Sequence, residues 1–221
     1  MTVLPAREGY RLWASEYDNE TAVSYLENRV IGELGIYTNG CALLDVGCGT
    51  GRRLRNIDAA LAIGVDLSLE MLAYSGVEHP TAAADARALP FPADSFDVVW
   101  CRLMIGQLAE IDAAYAELAR VCRTDGVVIV SDLSREASLA GHRRTFRDAN
   151  GEEHEVEHFV HTLEEQTRSA MRAGLQPQQC REGVVGLNLK QFYAEAGRLH
   201  AYEEQRGMPL VMAVAFEKRS A

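Results

Sequence analysis

Five runs of strand length, CALLDV (41–46), ALAIGVD (60–66), SFDVVWC (95–101), GVVIVSD (126–132) and PLVMAVAF (209–216), are almost continuously apolar. A strand with one wet face alternates apolar and polar side chains. One that is apolar at nearly every position is buried on both faces, which calls for a parallel sheet covered by helices on each side. Helical patterns lie between most of the runs. Asp112 opens DAAYAELARVC, with Ala, Tyr, Leu and Val at helical spacing, and Asp125-Gly126 stops it before the next strand. Thr162 and Glu165 form a capping box ahead of a helix that Gly174 closes. Strand, helix, strand in succession predicts an α/β, doubly wound, mostly parallel sheet. Residues 1–36 read as two amphipathic helices, around 9–17 and 21–34, outside that sheet, and residues 189–201 as one further helix.

A chain of 221 residues that is 48% hydrophobic and 24% charged suits one folded domain and excludes disorder. Its longest apolar stretches fall well short of the roughly 20 residues that cross a bilayer. Arg7, Glu8 and Arg11 break any apolar leader, so a cytoplasmic location without a membrane span is expected. Cysteines at 41, 48, 101, 122 and 180 are odd in number and form no CxxC, as free thiols in a reducing compartment would. The net charge of -10 argues against a nucleic-acid partner, although Arg143, Arg144 and Arg147 make a local basic island suited to one anionic group. Asn150-Gly151 lies between two strand-like arms, a pairing that predicts a two-residue type I′ hairpin turn inserted after the strand ending at Asp132.

Chemistry concentrates in LLDVGCGTGRRL (43–54), where a buried strand meets a turn with Gly47, Gly49 and Gly51 and then a helix start. Glycines let backbone approach a ligand closely, and the following amides are free donors. A P-loop is excluded by the lack of Lys, and the third glycine of a dinucleotide fingerprint is replaced by Arg52. Asp66 closes the second run 19 residues after Gly47, placed to accept both hydroxyls of a ribose and to repel a 2′-phosphate.

LLDVGCGTG, GVDLSLEML, AADARALPFPADSFDVV and LARVCRTDGVVIVSD, in that order, resemble the motifs of class I S-adenosylmethionine-dependent methyltransferases, type 11 small-molecule group, which includes quinone and biotin-pathway enzymes. The resemblance covers residues 10–135 well and the rest loosely. It implies a Rossmann-like fold with a seven-stranded sheet, an N-terminal helical lid, and the hairpin inserted after the fifth strand of the family order. Residues 1–221 then form one methyltransferase domain: lid 1–38, cofactor-binding half 39–135, hairpin insertion 136–161 and C-terminal half of the sheet 162–221.

Around S-adenosylmethionine, the resemblance implies Asp45, Gly47, Cys48 and Gly49 at the methionine end and Asp66 on the ribose. Leu67 and Met71 pack on the adenine, Asp85 accepts from its amine, the Ala86 amide meets the ring, and the backbone near Cys101 meets the amino group. The YxxWAxxYD pattern places Tyr10, Trp13 and Tyr17 on one helix face. It reads either as core packing or as a lid, with Tyr17 at the cofactor, Tyr10 and Trp13 at the acceptor, and the two tyrosines as candidates for catalysis. His142, His154, His158 and His161 cluster in the insertion. A strand there puts His161 on the face opposite His154 and His158, which argues against a metal site. His142 and His158 remain candidates for a general base, His161 and Arg144 for acceptor contacts, and Gln107 stands as a polar contact where relatives carry a histidine.

The expected activity is methyl transfer to an O, N, C or S nucleophile of a small-molecule acceptor, with S-adenosylhomocysteine as product, by a monomer or homodimer. The alternatives are an RNA or protein methyltransferase, or an inactive S-adenosylmethionine-binding regulator. A nicotinamide-dependent oxidoreductase is disfavoured by the glycine pattern.

Overall fold

Chain order starts the sheet at its middle and ends with a strand inserted beside the edge. The computed structural model describes residues 2–76 and 78–220. Ahead of the sheet come β1 (Thr2–Leu4), α1 (Ala6–Trp13) and α2 (Ala22–Glu33), the last capped by the Thr21 side chain. Next follow β2 (Ala42–Val46), β3 (Leu61–Asp66), α3 (Leu69–Ala73), β4 (Thr81–Ala83), β5 (Phe96–Arg102), α4 (Asp112–Val121) and β6 (Cys122–Leu133). After these lie α5 (Arg135–Leu139), β7 (Thr145–Arg147), β8 (Glu153–Val156), α6 (Leu163–Arg172), β9 (Leu175–Val184), α7 (Lys190–Glu195), α8 (Leu199–Gln205) and β10 (Pro209–Lys218).

The seven-stranded sheet runs β4-β3-β2-β5-β6-β10-β9, parallel except for β10, which is antiparallel to both neighbours. Its five apolar strands are the five runs of the sequence. Each is buried on both faces, between a cluster around Tyr115, Leu118 and Phe216 and another around Leu26, Trp100 and Tyr202. The sequence pattern did not reveal β4 and β9. β4 has only three residues, and β9 is an edge strand whose LQPQQCREGV is mostly exposed, so neither carries an apolar run. Among the described residues no helix is long and apolar enough to cross a membrane.

Three expectations are corrected. The N-terminal segment is not purely helical: β1 pairs in parallel with β8, and β8 pairs with β7, so the N-terminus and the hairpin share one small sheet. The turn is not a two-residue type I′. The Asp148 N–H donates to the Glu152 carbonyl (3.0 Å), and positive φ occurs at Gly151 (81°) but not at Asn150. That is the longer loop with a left-handed glycine at its end. The helix expected at 189–201 is α7 and α8, separated at Gly197 (φ 68°).

A buried ion pair fastens α2 to the sheet. Glu27, fully buried, accepts from Arg102 Nε and Nη2 (both 2.8 Å) and from Ser131 Oγ (2.6 Å), with Arg53 at 3.6 Å. Burial alone would raise the Glu27 carboxyl, but the Arg102 and Arg53 guanidiniums outweigh it and hold the group at about 2.

Candidate functional site

The order of the sheet reverses between β2 and β5, and loops at the carboxyl ends of strands beside such a switch point leave a crevice. A cleft opens there, lined from the glycine turn, β3, α3, the segment after β4, the segment after β5, and α1. Gly47 (φ 76°) and Gly49 (φ 60°) adopt left-handed backbone. A Cβ on Gly47 would fall 2.3 Å from Met104 Cγ, so only glycine fits beneath that side chain.

Asp66 ties this turn to the end of β3. Its carboxylate accepts from the Gly49 N–H and the Ser68 N–H, both at 2.8 Å. Burial raises its affinity for a proton, offset in part by those backbone donors and that of Leu67. Asp45 is different: fully buried, with neither carboxylate oxygen hydrogen-bonded. Burial pushes its carboxyl up to about 6 despite Arg53 and Arg102 nearby. Asp85 lines the cleft beside Ala86, and Arg87 grips its carboxylate from Nε (2.9 Å) and Nη2 (2.6 Å), which holds it below the usual range.

Tyr10, Tyr17, Gly47, Gly49, Asp66, Leu67, Met71, Asp85, Ala86 and Gln107 all line the one cleft, whereas Asp45 does not. Tyr17 Cε1 lies 3.4 Å from where a Gly49 Cβ would be. Asp18 next to it accepts from Thr50 and Arg55, docking this segment on the glycine turn. Trp13 does not line the cleft. It stacks between Tyr10 and Phe146, centroids 5.9 and 5.0 Å away, so it packs the helix onto the hairpin.

Cys48 and Cys101 turn their side chains into the core, where burial pushes both thiols up. β5 reaches the cleft through Leu103 and Met104, just past Cys101. Sequence reasoning missed both, along with Arg7, Ser68 and Arg87. Leu103 has φ 54°, a conformation that a leucine gives no sequence sign of adopting.

None of the insertion's histidines lines the cleft. His142 bonds Gln205 (2.6 Å) beside Tyr193, among the C-terminal helices. β8 ends at Val156, so His158 and His161 lie past the strand rather than on it. His158 Nε2 meets Asp132 Oδ1 (2.9 Å) behind Gly106, and His161 Nε2 meets the Leu108 carbonyl (2.7 Å). Phe159 N–H donates to Gly106 O (2.7 Å), so residues 158–161 brace residues 105–108 from behind. Gln107 is committed as well, donating to the Glu157 carbonyl (3.2 Å) and accepting from Arg144 Nη1 (3.0 Å). Asp148, Glu152 and His154 approach one another at the turn, where Asp148 Oδ1 accepts from the Asn150 and Glu152 amides (both 2.9 Å) and so closes the loop. The basic island is largely neutralised: Arg143 faces Glu155 (3.6 Å) and Arg147 faces Glu153 (3.7 Å), which leaves Arg144.

In fold, motif order and cleft the chain resembles the class I S-adenosylmethionine-dependent methyltransferases. Residues 44–130 match the family described as Methyltransferase domain. A malonyl-[acyl-carrier protein] O-methyltransferase of Gallionella capsiferriformans is 30% identical over 128 residues, 51% of this chain and 44% of that one. A phosphatidylethanolamine N-methyltransferase of Cereibacter sphaeroides is 36% identical over 112 residues, 46% of this chain and 55% of that one. The chain thus spans about half the length of these curated relatives. In fold it is similar to an S-adenosylmethionine-dependent methyltransferase from Mesorhizobium loti, with a TM-score of 0.65 and 19% identity, covering 87% of this chain and 97% of that one.

The residues present fit the cofactor of that class. Asp45 is a buried carboxylate with no protein partner, which a cationic ligand group would satisfy, and the glycine turn is the cradle that a Cβ would fill.

Proposed function

We propose that this chain transfers a methyl group from S-adenosylmethionine to a nucleophilic atom of a small-molecule acceptor, with S-adenosylhomocysteine as product. The observation that carries this reading is Asp66, a carboxylate fastened at 2.8 Å to both the glycine turn and the start of α3 inside the cleft. Its backbone donors fix the carboxylate so that its remaining acceptor capacity serves two ribose hydroxyls. Asp45 offers charge to the amino end, Leu67 and Met71 flank the adenine, and Asp85 with the Ala86 amide reads its edge. Tyr17, held over Gly49, excludes water at the methionine end. Tyr10 is buried, which holds its phenol above its ordinary value, so at neutral pH it donates a hydrogen bond and does not act as a base.

When bound, the cofactor supplies a methyl already activated by its sulfonium. The chain therefore has chiefly to hold two partners in line, a positioning effect that reaches about 7–11 kcal/mol in favourable cases. The two curated relatives carry the names of enzymes acting on a malonyl-carrier acid and on a phospholipid amine, so the acceptor has to be read from this chain's own cleft. The net charge of -10 supports a small molecule over RNA, and a monomer or homodimer in the cytoplasm suits the same reading. Incubating the protein with methyl-labelled S-adenosylmethionine and a deproteinised small-molecule extract should give S-adenosylhomocysteine and one labelled product. Binding without turnover across such extracts would favour an inactive regulator.

A further inference from the structure

Charge is divided unevenly around the cleft. Asp66 and Asp85 line one side, while α1 contributes Arg7 and Tyr10, three residues apart. Arg144 stands directly behind Tyr10. From Nη1 it donates to the Tyr10 hydroxyl, to the Leu103 carbonyl (2.8 Å) and to Gln107 (3.0 Å), all residues that line the cleft. Its Nε and Nη2 make no hydrogen bond among the described residues, and neither Arg144 nor Arg7 forms an ion pair there. The neighbouring cations do: Arg143 with Glu155, Arg147 and Arg198 with Glu153, and Arg87 with Asp85. Arg144 is half-buried and Arg7 exposed, and in a chain of net charge -10 two cations without an ion pair beside one cleft favour an anion from outside.

A second observation bears on the transferred atom. The other titratable side chains lining the cleft are Tyr17, Asp66, Asp85 and Arg87. Asp66 and Asp85 are committed to their own partners, Tyr10 is held protonated, and no histidine lines the cleft among the described residues. Nothing is placed to take a proton from the acceptor, so a nucleophile that arrives already deprotonated suits this site. Because Tyr10 accepts from Arg144, its own O–H is free to donate.

We infer that the acceptor is an organic carboxylate, bound by the Tyr10 hydroxyl and Arg7 with Arg144 holding that hydroxyl from behind, and that its oxygen is the atom methylated. The inference rests on the methyltransferase reading and narrows it. Transfer forms an ester O–CH3 bond, breaks the sulfur–methyl bond, leaves that electron pair on sulfur and moves no proton. Charge is conserved, since carboxylate and sulfonium become ester and thioether.

The test offers the full chain tritium-methyl S-adenosylmethionine and a panel of aliphatic, aromatic and dicarboxylic acids, carrier-thioester half-acids, and the primary amides and amines of the same skeletons. Products are treated with alkali and volatile methanol is counted, because methyl esters release it and N-, S- and C-methyl groups do not. Label released as methanol from acids, and little or none from amides and amines, is expected. Arg144→Gln should lower kcat/KM for the best acid by about twentyfold, with S-adenosylhomocysteine affinity within about twofold of wild type. If that variant misfolds, Arg7→Gln, at an exposed position, should raise KM about fivefold with kcat unchanged. Alkali-stable label, acids used no better than amides, or no transfer to any acid overturns the inference when calorimetry shows S-adenosylhomocysteine bound. Failure to bind S-adenosylhomocysteine sinks the methyltransferase reading itself.

Discussion

Asp66, half-buried in the cleft, and Asp45, fully buried outside its lining, are carboxylates whose surroundings prepare them differently. Asp66 already has two backbone donors, so its loss removes a built receptor rather than a strained group. Asp66→Ala should weaken S-adenosylmethionine binding by at least about tenfold in calorimetry, since hydrogen bonds to a charged acceptor contribute about 1.5–3 kcal/mol. Unchanged affinity would remove the ribose assignment. Gly47 is constrained by space and by conformation together, with φ 76° and Met104 where a Cβ would go. Gly47→Ala should therefore cost about 1–2 kcal/mol in urea denaturation and reduce cofactor affinity, because a left-handed L-residue is strained by that amount before any steric shift. An alanine variant as stable and as tight-binding as wild type would show that the turn relaxes. Both residues were legible in the sequence because glycine and aspartate at those spacings have few other uses. Met104, which makes the glycine necessary, was not, since a methionine after a strand reads as ordinary core.

Elements brought together over long separations were harder to read. Lid and hairpin looked like separate appendages, yet β1 pairs with β8, α1 packs Gly9 against Val156, and Glu157 N–H donates to Leu4 O (2.8 Å). Three- and four-residue strands such as TVL and EHEV carry no periodic signal, and their stability comes from the partner segment. Amides of 2–13 and 144–159 should thus exchange hydrogen as one unit that slows together when S-adenosylhomocysteine binds; independent rates for the two segments would contradict a shared cap. The histidines teach the same lesson, because four that cluster in sequence meet four different partners in space. The other element-level anchor is Glu27 on α2. Its folded value of about 2 lies below the ordinary 4.5, so its contribution is full above pH 4.5 and is lost as pH falls toward 2. Asp45, raised to about 6, acts oppositely, costing stability as pH rises from about 4 to 6. Glu27→Gln should lose about 3 kcal/mol at neutral pH and flatten the loss of stability between pH 4.5 and 2, because removing one partner strands Arg102. Denaturant titrations across that range that matched wild type would show the pair to be dispensable.

At the scale of the molecule, the five apolar runs announced the sheet because each is buried on both faces, while β9 stayed hidden because an edge strand of mostly exposed residues looks like a loop. The cofactor half of the cleft was legible for a related reason: its contacts come from contiguous motifs at strand ends, each short enough to carry its own pattern. The rest of the cleft is lined from α1 and residues 103–108, and the contact behind it, Arg144 on Tyr10, joins segments far apart in the chain. Net charge alone suggested only that polyanions are poor partners, whereas the structure separates the paired arginines, Arg143 and Arg147, from Arg144. The central claim is that this cleft holds S-adenosylmethionine, and calorimetric titration of the wild-type chain with S-adenosylhomocysteine tests it most directly. One site per chain is predicted, with affinity reduced in Asp66→Ala. No heat with S-adenosylhomocysteine, alongside saturable binding of NADH, would contradict the account.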